Sequence, residues 1–255
     1  MNELRKDLWA ELRRLTAARI GLPRSGASLS TAPLLEFQLA HARARDAVHQ
    51  PLDETRLLAE LKALTRPVLV VESAAMDRQS YLMRPDLGRQ LTQRSQALLA
   101  QHAGPYDVSL VVIDGLSARA VQGHAVPVLA ELLPRLAGLR IAPLVVVRQG
   151  RVAAGDAVAL ALHAESVVAL IGERPGLSAP DSLGAYLTFR PGPQSTDADR
   201  NCISNIRPEG IGYASAAFKI AHLLRAMRSL EFSGVRLKDD SDGFLPVAGP
   251  QAPPR

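Results

Sequence analysis

The segment VSLVVIDGLSARAVQGHAVPVLAELLPRLAGLRIAPLVVVRQ, residues 108–149, decides how this chain folds. Its two ends are near-continuous Val/Ile/Leu runs, at 108–114 and 142–149. Strands buried on both faces read this way, without the polar alternation of a half-exposed sheet. Between them, residues 117–138 carry apolar side chains at helical spacing, bounded by Ser117 and Gly138. A strand, a helix and a second strand of these lengths predict a right-handed crossover and a parallel pair.

The same alternation extends outward. VLVVES (68–73) reads as the first strand, and a helical pattern covers 86–101. Beyond the segment come a helix over 153–164, a strand at SVVALIG (166–172) and a fifth strand at AYLTFRP (185–191). A final helix spans 213–230, with Tyr213, Ala217, Ile220, Leu224 and Met227 along one face. The fold class expected is α/β, a Rossmann-like parallel sheet with flanking helices and a helical N-terminal extension.

In that extension, Leu4, Leu8, Leu12 and Leu15 mark an amphipathic helix over 2–20, and Gly21, Pro23 and Gly26 end it. Thr31 is the expected cap of a helix over 33–49, and Asp53 the cap of one over 54–65. The chain then divides into 1–26 (helix and joint), 27–66 (helical segment), 67–238 (binding domain) and 239–255, a polar, Pro-rich tail expected to be disordered.

Composition narrows the function classes. The net charge is +5. Arg5, Lys6, Arg13, Arg14, Arg19 and Arg24, against Glu3, Asp7 and Glu11, place most of the excess before residue 25. No basic run interleaves with aromatics, so no nucleic-acid partner is expected. No apolar run approaches the ~18 residues of a membrane span, so no membrane partner is expected either. The N-terminus lacks a signal-peptide core, and a cytoplasmic protein follows. One cysteine excludes a disulfide framework and a Cys-rich metal site. His41, Arg45 and His49 share a helix face but make a poor ligand set, so no metal site is expected.

Ligands of parallel sheets gather where strands end. Those ends are Glu72-Ser73, Asp114 to Ser117, Gln149 to Val152 and Gly172 to Pro175. The Gly-rich phosphate fingerprints are missing from all of them, as is a GxSxG nucleophile elbow. The residues alone leave several roles open. Glu173 is a ligand anchor, a base or half of a surface ion pair with Arg174. Cys202 is a small buried filler or a nucleophile, the latter without a neighbouring His–Asp pair to support it, and Asp181 reads best as a helix N-cap.

Several segments together carry a family pattern: ARIGLPRSGASLST (18–31), HARARDAVH (41–49), DRQSYLMRPDLGRQL (77–91), DVSLVVIDGLSARAV (107–121), QGRVAAGDAV (149–158), LIGERPGLSAPDSLGAYLTFRP (170–191) and DADRNCISNIRPEGI (197–211). This set resembles the small subunit of adenosylcobalamin-dependent ethanolamine ammonia-lyase, over residues 18–238. The resemblance implies a hetero-oligomer whose large TIM-barrel subunit holds the substrate and the radical chemistry. The small subunit closes over the lower side of the cobalamin and its nucleotide tail. It implies cofactor contacts at Val152, Glu173 and Cys202, and no catalytic residue on this chain. Without a DxHxxG motif, a base-on cofactor is expected, benzimidazole still on cobalt. A bacterial microcompartment is a second expected location. A stand-alone nucleotide-dependent transferase, with Glu173 or Asp114 as base, and a microcompartment-targeting scaffold are the competing readings.

Overall fold

The computed structural model describes residues 9–244, apart from 17 and 66. Val68–Glu72 (β3), Tyr106–Ile113 (β4), Leu144–Arg148 (β5) and Ala164–Gly172 (β6) all pair in parallel, in the order β3-β5-β4-β6. These are the four apolar runs of the sequence. Along β4 the side chains alternate in destination, although nearly all are buried. Val108, Leu110 and Val112 join one core layer, and Val111 and Ile113 join the other. The period of two therefore survives as a choice between two apolar faces.

One face is covered by Glu54–Leu64 (α3), Ala118–Leu132 (α7) and Tyr213–Leu230 (α9), through Leu57, Leu61, Val121, Leu129, Ile220 and Leu224. The other is covered by Gln93–Ala100 (α6) and Val152–Leu162 (α8), through Leu99, Val158 and Leu162. Gly155 lets α8 approach closely, since a Cβ there would lie 3.1 Å from that of Ala169.

The sheet is mixed, which corrects the all-parallel expectation. Leu183–Phe189 (β7) runs antiparallel to β6, and Arg200–Ile206 (β8) runs antiparallel to β7. A parallel return needs a crossover of about a dozen residues or more, usually a helix. The link from Glu173 to Ser182 holds no helix and is too short for one. Strand β8 contains RNCISN, read in the sequence only as a ligand cluster. Its Arg, Asn and Ser disguise a strand whose Arg200, Asn201, Ile203 and Ile206 are buried.

Other boundaries shift for local reasons. The helix expected over 86–101 is two, Pro85–Gly88 (α5) and α6. Leu91 breaks it by bridging Ser73, and Thr92 caps α6 by accepting from the Ser95 amide. Arg78–Met83 (α4) precedes them. Thr31–His49 (α2) starts at Thr31 behind Ser30, which makes no side-chain cap bond, so Thr31 is not the cap. Asp53 does cap α3, accepting from the Arg56 amide. The N-terminal helix ends at Arg13 (Trp9–Arg13, α1), short of residue 20, and residues 1–8 lie outside the described ones. The joint after it includes a small hairpin, Arg24–Ser25 (β1) with Ser28–Leu29 (β2). At the other end, Asp239, Ser241 and Asp242 all accept from Lys219 of α9, so the chain stays fixed past Lys238. Residues 245–255 lie outside the described ones. Among the described residues no helix is long and apolar enough to cross a membrane.

Candidate functional site

The site lies at the carboxyl end of the parallel strands, where backbones from β4 and β6 nearly touch. Gly115 takes a φ of +60°, and a Cβ on it would fall 2.3 Å from the Gly172 carbonyl oxygen. The Leu116 amide donates to that same oxygen at 2.9 Å. Only glycine tolerates both the conformation and the approach.

Asp114 ties this edge to β5. Its Oδ1 accepts from the Gly115 and Gly150 amides, and its Oδ2 from the Gln149 amide. Burial raises its pKa, while these bonds and Arg78 pull the other way. A carboxylate so engaged is a clamp, which removes Asp114 as the base of a transferase.

The strand ends enclose a cavity of about 420 Å³, lined among others by Tyr81, Leu116, Arg151, Val152, Glu173 and Tyr186. Val152 opens α8, its helix start held by the Arg151 amide donating to the Gly88 carbonyl at 2.7 Å. Glu173, just past β6, is held through one oxygen. The Ser182 hydroxyl and the Asn205 amide both donate to Oε2. Among the described residues no donor reaches Oε1. That oxygen faces Gly184, where a Cβ would sit 2.7 Å away. Glu173 is therefore anchored by its own loop and by β8, and it makes no ion pair with Arg174.

Cys202 joins from β8. It pairs across the sheet with Tyr186 of β7. Its side chain is exposed, so it is not a buried filler. Desolvation raises the thiol pKa, with Glu173 adding to the effect. Cys202 thus offers a neutral sulfur, not a nucleophilic thiolate. The three residues singled out in the sequence meet around Tyr186: Val152 and Glu173 on the cavity wall with it, and Cys202 beside it.

Asp181 is placed differently from its expected role. No helix follows it; it sits in the turn into β7, 3.7 Å from Arg119. His41, Arg45 and His49 are exposed on α2. A larger cavity of about 580 Å³ opens next door over β3 and β5. Its Arg148 is already paired with Glu72 and Glu54. Tyr81 and Tyr186 were not legible as site residues, because helix α4 and the antiparallel edge bring them in.

A family model described as ethanolamine ammonia-lyase light chain matches residues 6–238. The chain belongs to that family. Among its relatives, the ethanolamine ammonia-lyase small subunit of Ralstonia nicotianae is 54% identical, covering 94% of this chain and 92% of the relative. That of Azotobacter vinelandii is 53% identical, over 92% and 89%. That of Xanthomonas campestris pv. campestris is 52% identical, over 93% and 89%. The ethanolamine ammonia-lyase light-chain match spans every element that builds the cavity, from α4 to β7, and β8 beside it.

Proposed function

We propose that this chain is the cofactor-binding small subunit of an ethanolamine ammonia-lyase, a lyase that converts ethanolamine to acetaldehyde and ammonia. The cavity at the Rossmann-like edge takes part of an adenosylcobalamin, and a large TIM-barrel subunit covers the rest in a hetero-oligomer. The single observation that carries this reading is the convergence of Val152, Glu173 and Cys202 on Tyr186.

The donor set fits the group. Val152 and the Cys202 sulfur present small, neutral surfaces suited to a benzimidazole or ribose face. Glu173 Oε1 is an acceptor suited to a ribose hydroxyl or an amide N–H, held in place by Ser182 and Asn205 through its other oxygen. When bound, the cofactor supplies the radical chemistry that starts the deamination. This chain's residues position it and exclude water, and no covalent step falls to them. A base-on cofactor is favoured because no histidine lines the cavity among the described residues. His124 is buried on α7, across the sheet from α8, with Nδ1 bonded to the Tyr213 hydroxyl at 2.9 Å.

Purified chain, large subunit and adenosylcobalamin test the reading together. Only the complex turns over ethanolamine, and turnover by the isolated chain refutes the assignment. In the complex, Glu173→Ala weakens cobalamin binding by about 1–3 kcal/mol, as for a buried hydrogen bond losing one partner. Unchanged affinity removes Glu173 from the site. A bound-cofactor spectrum with histidine on cobalt removes the base-on assignment. Removing residues 1–24 separates cytoplasmic from microcompartment residence: catalysis survives, and packaging is lost if that segment directs it.

A further inference from the structure

The cofactor cavity is backed by two guanidinium groups that meet no carboxylate. Arg78 donates only to neutral oxygens: Nε to the Val48 carbonyl at 2.7 Å, and Nη1 to the Gly115 carbonyl at 2.7 Å and Gln149 Oε1 at 3.4 Å. Arg151 donates from Nη2 to the Tyr81 carbonyl at 3.0 Å. Nη2 of Arg78 and Nε of Arg151 are buried and reach no acceptor among the described residues. Both groups stack on the Tyr81 ring, at 4.7 Å and 4.2 Å from its centroid. Neither forms an ion pair among the described residues.

Burying like charges beside one another is unfavourable unless a counter-charge arrives. The Tyr81 ring supplies part of that compensation by cation–π attraction. The Asp114 carboxylate, held by three amides, makes no ion pair with Arg78 but offsets part of its charge from nearby. Burial lowers the Arg78 pKa, Asp114 and Tyr81 oppose it, and Arg151 lowers it further. The adjoining larger cavity differs in this respect, because its arginine has two glutamates. Arg151 lines the cofactor cavity beside Val152, where α8 begins without a side-chain cap. The amides of that first turn add to the positive potential.

A base-on cobalamin has one anionic group outside the corrin plane, the phosphodiester of its nucleotide loop. We infer that the Arg151 end of the cavity is a phosphate subsite that takes this phosphodiester, with Arg78 reinforcing it through Tyr81. The inference rests on the cobalamin reading of the cavity and names which part of the cofactor lies where. It makes Arg151 a binding residue, and Arg78 and Tyr81 positioning residues behind it.

The test uses the complex with the large subunit and two ligands that differ only by a phosphate, adenosylcobinamide and adenosylcobinamide phosphate. Affinities are read by equilibrium dialysis, without turnover. Arg151→Gln weakens adenosylcobinamide phosphate by about ten- to a hundredfold, the range for a charge-assisted bond. It changes adenosylcobinamide by less than about threefold, and Arg151→Lys recovers part of the loss. Thermal melts of each variant exclude misfolding as the cause. Equal losses for both ligands overturn the phosphate subsite and leave the cavity assigned to cobalamin. If Arg151→Gln, Glu173→Ala and Cys202→Phe all leave the affinity for intact adenosylcobalamin unchanged, the cavity assignment falls with it.

Discussion

Asp156 and Arg200 form an ion pair buried between α8 and β8, with side-chain exposures of 8% and 3%. Arg200 also donates to Thr188 Oγ1 on the strand between them, at 3.2 Å. Burial raises the Asp156 pKa, and Arg200 counters that by hydrogen bond and charge. Val152 starts the same helix as Asp156, and Cys202 follows Arg200 on the same strand. The pair therefore holds two of the proposed cofactor contacts at a set separation. Asp156→Ala leaves the buried guanidinium with only the solvent-exposed Asp197 carboxylate at 3.3 Å and costs about 3–5 kcal/mol in chemical denaturation. Exchanging both partners for apolar residues of similar volume costs much less. A fully stable Asp156→Ala variant contradicts the pair's structural role.

Gly184 separates affinity from stability. An alanine Cβ would lie 2.7 Å from Glu173 Oε1 and 3.1 Å from a Tyr186 ring carbon. The carboxylate end can swing away, so folding loses little, but the oxygen proposed to meet the cofactor is displaced. Gly184→Ala lowers cobalamin affinity by about tenfold, with a melting temperature close to that of the parent. An affinity unchanged by this methyl group places the ligand elsewhere.

The Cys202 thiol is exposed but protonated at neutral pH, because desolvation and Glu173 raise its pKa. Only the thiolate is alkylated rapidly. Iodoacetamide labelling near pH 7 is therefore slower than for free cysteine. The rate climbs about tenfold per pH unit through the usual thiol range, and bound cobalamin shields the sulfur. Fast labelling at neutral pH, unaffected by cobalamin, contradicts both the electrostatics and the placement.

His124 predicts an acid-side loss of stability. Burial holds its pKa below the ordinary value, with Asp181 and Glu209 opposing and Arg207 assisting. As pH falls, the unfolded chain binds the proton first, near pH ~6.5. The contribution is complete above that value and declines as pH falls from it to the lower folded-state pKa. The melting temperature of the parent drops over that window more steeply than that of His124→Gln. Parallel pH profiles for the two proteins exclude His124 as the cause.

Much of this architecture is written locally. Strands β3 to β6 announce themselves as Val/Ile/Leu runs, α9 occupies residues 213–230 as its periodicity requires, and Asp53 caps where it stands. Val152 and Glu173 follow from being next to strand ends. Other features have no local mark. DRQSYLM has too few apolar residues to display α4 as a helix, and the Leu87–Leu98 spacing conceals the break that the Leu91 bridge to Ser73 imposes. Strand β8 is polar enough to resemble a loop, and its place depends on β7.

The sequence by itself determined the buried parallel strands, the helices that cover them and the family, because apolar period, capping and motif are properties of neighbouring residues. Tertiary structure alone decided that β7 and β8 run antiparallel, since the short Glu173–Ser182 link permits no crossover. That reversal sets Cys202 opposite Tyr186 and near Glu173. It also took the folded chain to carry Arg78 and Tyr81 from α4 to Arg151, through bonds to the Val48 and Gly115 carbonyls. Residues far apart in sequence share a site only when the backbone hydrogen bonds between their elements are made.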